Sequence, residues 1–113
     1  MHKSVRKKQM FGKHFKKCRA WDCYSYLAIH IINELKAFKK YNVNSYPLEF
    51  DSIESWHKVI NKMIWSFEEI SKDYPNAPKL SSLLDDKEKY NKYRSQIDDG
   101  LMLFAKYFEN LWD

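Results

Sequence analysis

Few of the residues able to do chemistry fall at spacings that would let them act together. His14, Cys18, Cys23 and His30 give H-x3-C-x4-C-x6-H, four soft or borderline donors within seventeen residues. Structural zinc sites take their thiolates in tight C-x2-C knuckles, which this spacing lacks. Two cysteines with no secretory context read as reduced thiols of a cytoplasm. Glu54-Ser-Trp-His57 is an E-x-x-H, the helical motif of carboxylate di-iron bundles. Such sites need a second motif and two further glutamates, all facing inward. On a helical wheel Glu54 falls roughly 140° from the apolar stripe of its own segment, so it should face water. Glu68-Glu69 and Asp85-Asp86 are neighbours in sequence, hence on different helix faces or at a cap, and read as solvated charges. There is no Gly-rich phosphate loop and no G-x-S-x-G. The expectation is a non-enzymatic protein with no metal and no cofactor.

Charge is the strongest asymmetry in the chain. Residues 1–20 hold Lys3, Arg6, Lys7, Lys8, Lys13, Lys16, Lys17 and Arg19, with no acid. The other 93 residues carry 12 basic and 15 acidic side chains, so the overall +5 is a basic arm on a body of about −3. Met10, Phe11, His14 and Phe15 are interleaved with these cations, a pattern that suits phosphate contacts plus stacking on bases. It would equally serve an acidic protein partner or an anionic membrane surface, or simply solubilise the chain.

A second set of candidates is apolar side chains on the wrong face of a helix. Tyr26 and Ile29 sit roughly 150° from the stripe of the first segment, and Trp65 about 160° from that of the second. Met102 and Leu103 point away from the stripe of the third. Single exposed apolar side chains are ordinary. Several in 113 residues raise the odds of a binding patch or a homodimer, with Trp65 the natural anchor by residue type.

Three elements must position these residues. The first runs from about Asp22 to Tyr41, with Tyr24, Leu27, Ala28, Ile31, Leu35 and Phe38 recurring at steps that share one helix face. Asp51 or Ser52 would cap the second, whose stripe is Ile53, Trp56, Ile60, Met63, Ile64, Phe67 and Ile70, and Pro75 would stop it. The third starts where Asp85 and Glu88 have capping-box spacing and continues to about Trp112. Its seam is Tyr90, Tyr93, Ile97, Leu101, Phe104, Phe108 and Leu111, with Gly100 on the same face. A mid-helix glycine costs about 1 kcal/mol against alanine, so its use should be close approach of a neighbour. The connector "PNAPKLSSLL" reads as pinned to the core by Leu80, Leu83 and Leu84. Tyr107 and Trp112 are expected to close the end of the bundle, so truncation at Glu109 should destabilise the domain by roughly 3–5 kcal/mol.

No strand alternation occurs, and only two glycines and three prolines interrupt the chain. The fold expected is all-α, an antiparallel three-helix bundle with a basic N-terminal arm: residues 1–20 as the arm, 21–113 as one domain. The longest mostly apolar run, "YLAIHII", is far short of the ~20 residues that span a bilayer. The basic start is not followed by an apolar stretch, so no secretory leader is expected.

Three stretches, "AWDCYSYLAIHIINELKAFKK", "ESWHKVINKMIWSFEEI" and "DDGLMLFAKYFENLWD", resemble a group of small tailed-phage proteins. The shared features are a Trp plus Leu-Ala opening helix, a Tyr-Pro before the second helix, a Trp…Lys-Met-Ile…Phe-Glu helix, and a closing Gly-Leu…Leu-Phe…Lys-Tyr-Phe…Leu-Trp. The resemblance covers about Trp21 to Asp113, leaves the arm outside, and transfers no site residues. It implies a phage-encoded protein acting in a bacterial host cytoplasm or in a virion. The resulting expectation is a helical phage protein that works by binding a host protein or a phage assembly. The alternative is a nucleic-acid-binding module that uses the arm.

Overall fold

Ser52 starts the middle helix. Its backbone is extended (φ −156°, ψ 164°), and its Oγ accepts the Ser55 N–H at 3.2 Å, satisfying one of the donors that a helix N-terminus leaves open. The computed structural model describes residues 22–78 and 87–112. The arm, the connector leucines and the Asp85 cap lie outside the described residues, as do Asp85-Asp86. Within them are three helices, α1 (Cys23–Tyr41), α2 (Ile53–Ser71) and α3 (Lys87–Tyr107), and a 3-10 turn at Phe108–Asn110. The described residues contain no strand, so the all-α class holds.

α2 ends before Pro75. Tyr74, preceding the proline, is kept out of the right-handed helical region, and both Asp73 (φ 56°) and Tyr74 (φ 59°) turn left-handed. The reversed backbone lets the Tyr74 N–H bond the Glu69 carbonyl at 2.6 Å. α1 ends at Asn42, which is fully buried. Its N–H bonds the Phe38 carbonyl at 2.8 Å, its Nδ2 donates to the Ser45 carbonyl at 2.8 Å, and its own carbonyl accepts from His57 Nε2 at 2.9 Å. The α1–α2 loop is thereby tied to the second turn of α2.

The helices alternate in direction. Ser25 at the start of α1 bonds the Ser71 carbonyl at the end of α2, while Lys39 at the far end of α1 reaches Asn61. Across the other seam, Tyr93 meets Glu69 and Tyr107 meets Trp56. α2 is the middle element: α1 and α3 both pack along it and scarcely touch one another. Ile60, Met63 and Trp56 of α2 and Ile97 of α3 are completely enclosed. Phe50, Trp56 and Tyr107 close one end, with ring centroids 5.4 Å apart in each pair.

This layout shifts what is buried. The spacing places Tyr24 and Leu27 on the buried face of α1, yet they are 49% and 53% exposed, while Ile32 is buried with Ala28 and Leu35. The stripe of α1 is wide enough to meet two helices, and α1 meets only one. For the same reason Tyr90 on α3 and Phe108 in the turn after it are exposed, whereas Tyr107, read as a flanking residue, is buried. Trp112 does not close the bundle's end; it is 68% exposed.

Candidate functional site

The seam between α2 and α3 opens on one side into a cleft of about 1130 Å³. Its geometry begins at Gly100. A β-carbon there would overlap Ser66 Oγ and stand 2.7 Å from the Lys62 carbonyl oxygen. The absent side chain lets the two backbones approach, as the mid-helix glycine predicts. Above this floor Trp65 from α2 and Met102 and Leu103 from α3 converge, although 37 positions separate Trp65 from Met102.

Trp65 and Leu103 differ from their wheel positions. Both are half-buried and pack against the core, and the Trp65 ring meets Tyr93 edge-on, with centroids 6.1 Å apart. Because α2 is flanked on two sides, its covered arc is wider than one stripe, and Trp65 falls at its margin. Met102 is 69% exposed. The rim is polar: Asn61, Lys62, Gln96, Asp99 and Lys106. Tyr26 and Ile29 are exposed on α1 and do not line this cleft. The eight arm cations, Lys3 to Arg19, lie outside the described residues.

One end of the α2–α3 seam holds a buried acid that the sequence reading places in water. Glu69 is 3% exposed and accepts from Tyr93 Oη at 2.6 Å, Asn76 Nδ2 at 2.8 Å and the Asn76 N–H at 3.3 Å. Burial, that hydrogen bond and the Glu69 charge all push the Tyr93 phenol well above the ordinary tyrosine value. Both carboxylate oxygens of Glu69 are engaged, so this side chain fastens the loop after α2 to α3. Glu68 is half-buried, 3.4 Å from Lys36 Nζ.

The other constellations do not assemble. Glu54 is exposed, and the His57 ring is occupied by Asn42. Cys23 is a half-buried free thiol and His30 is exposed, while His14 and Cys18 lie outside the described residues. Among the described residues no group of three or more His, Cys, Asp or Glu could hold a metal ion. None of their helices is long and apolar enough to cross a membrane. The α2–α3 cleft offers an apolar floor, an aromatic wall and a mixed-charge rim, a surface suited to seating apolar side chains with polar flanks. The chain matches no family model, no curated protein and no solved structure.

Proposed function

We propose that this chain is a non-enzymatic helical protein that acts by binding another protein, with the α2–α3 cleft as its contact surface. The observation that carries the reading is the convergence of Trp65, Met102 and Leu103 on one cleft over Gly100. Tryptophan, methionine and a polar rim around an apolar centre are what protein contact sites favour. The resemblance to small tailed-phage proteins supports a phage origin, with a host protein or a phage assembly as partner, in a bacterial cytoplasm or a virion.

The test is affinity purification from infected bacteria with wild type, Trp65→Ala and Met102→Glu. Met102 is 69% exposed, so its substitution leaves the fold intact, and loss of a specific partner reports the surface directly. A partner retained at full yield by both variants rejects the cleft.

A second reading is favoured by the sequence of residues 1–20, which holds eight cations and no acid. Nucleic-acid binding through them would weaken with salt at a log–log slope of several, one unit per phosphate contact or slightly less. Deleting residues 1–19 should abolish it; undiminished binding after deletion rejects that reading.

A further inference from the structure

A second groove, of about 500 Å³, lies between α1 and α3 where these helices fail to meet above α2. Each helix keeps there the flank of its apolar stripe that α2 cannot reach. From α1 that flank is Ile31, Phe38 and Tyr41; from α3 it is Phe104, and from the turn after it Phe108. Leu27 lies on the same face of α1, one turn before Ile31. Leu27, Tyr41 and Phe108 are 53%, 70% and 60% exposed. The ionisable groups lining the groove, besides the Tyr41 phenol, are His30 and Glu34, one turn apart on α1.

We propose that this groove is a homodimer interface, in which a second copy of the chain lays its α1 antiparallel against α1 and covers both grooves at once. Two features favour a second copy over a foreign partner. The first is the His30/Glu34 pair. A two-fold axis between antiparallel helices sets His30 opposite Glu34 of the second copy and Glu34 opposite its His30, so one arrangement satisfies both groups twice. An acidic or a basic partner would engage one of them and repel or strand the other.

The second feature is area. At ~200 Å² per large side chain, the exposed parts of Leu27, Tyr41 and Phe108, with the half-buried Ile31, Phe38 and Phe104, come to roughly 500 Å². Two copies would then hide about 1,000 Å², the lower edge of specific association. The lining is also poorer in charge than the α2–α3 cleft, as homodimer faces are compared with transient ones.

The test is sedimentation equilibrium of the full chain over about 1–500 µM. The mass should rise from 13.8 kDa toward twice that value. Phe108→Glu and Leu27→Glu, both at exposed positions, should each weaken association by ~100-fold or more. Unchanged circular-dichroism melting at dilute concentration shows that the fold survives these changes. His30→Glu should weaken the dimer, and adding Glu34→His should restore it, because the swapped pair recreates the same contacts. A monomer at every concentration overturns the proposal, including the case where another segment or a foreign protein fills the groove. So does a dimer indifferent to Phe108→Glu and Leu27→Glu, or a double swap that restores nothing.

Discussion

Gly100 and Ser66 stand so close that α2 and α3 leave no room for a β-carbon between them. A methyl at position 100 would overlap Ser66 Oγ and lie 2.7 Å from both Ser66 Cβ and the Lys62 carbonyl oxygen. The serine hydroxyl could rotate, but the carbonyl belongs to the α2 backbone and moves only with the helix. Gly100→Ala therefore has to spread the seam. Overpacking of this kind costs ~1–3 kcal/mol, against up to about 1 kcal/mol regained from helix propensity. The expected outcome is a net loss of roughly 1–2 kcal/mol, read as a lower urea midpoint at unchanged m-value. Adding Ser66→Ala should recover only part, because the Lys62 contact stays.

The Tyr93–Glu69 pair makes stability depend on alkaline pH. A phenol held to a buried carboxylate must keep its proton, and its folded pKa is raised above the ordinary 10.0. The contribution is complete below that unfolded value and falls as pH climbs from about 10 toward the folded pKa, since the unfolded chain releases the proton first. Tyr93→Phe removes the hydrogen bond, leaving Glu69 its two Asn76 donors. The expected loss at neutral pH is ~1.5–3 kcal/mol, with a shallower decline above pH 10 than in wild type. Equal declines in both proteins would show that Tyr93 is not the group responsible.

Asn42 is a third point of leverage. It is wholly buried and joins the end of α1, Ser45 and His57. Asn42→Ala removes the amide donor to the Ser45 carbonyl and opens space beside His57. A loss of about 2–3 kcal/mol is expected from the lost hydrogen bond and the vacated volume, measurable by thermal melting. Ser52→Ala, which removes the helix cap and the contact with the Ser55 hydroxyl, should cost about 1 kcal/mol in the same assay.

The elements were legible because their periodicity is strong and several boundaries are chemical: a cap at Asp51 or Ser52, of which Ser52 is the one used, a stop at Pro75 and a close approach at Gly100. What the periodicity does not encode is which helix stands in the middle. A stripe fixes the direction a helix faces, not how many neighbours it meets, so Tyr24 and Leu27 read as core on a helix that packs against one partner. The converse error falls on α2. Ser66 and Glu69 lie off its stripe yet are buried, because α3 and the loop through Asn76 cover that side. Glu69 gave no local signal: its partners Tyr93 and Asn76 are 24 and 7 residues away. Of Trp65, Met102 and Leu103, each read from the wheel as facing outward, only Met102 is exposed, while Trp65 and Leu103 pack against the core. That they share a cleft follows only from the antiparallel register of α2 and α3.

The end of the chain separates burial from mere apolarity. Leu111 is half-buried against the core, while the neighbouring Trp112 is 68% exposed. The α-helix has already tightened into a 3-10 turn at Phe108–Asn110, which brings Leu111 back toward α1 and leaves the tryptophan outside. Leu111→Ala should cost ~1–2 kcal/mol, below the range for a fully enclosed leucine. Trp112→Ala should stay within ~0.5 kcal/mol of wild type, as exposed sites do. Removing both residues should then cost roughly what Leu111→Ala costs alone, well short of the ~3–5 kcal/mol expected of two enclosed side chains. Chemical denaturation of the three variants decides it: a large loss from Trp112→Ala would mean that this ring is covered in solution.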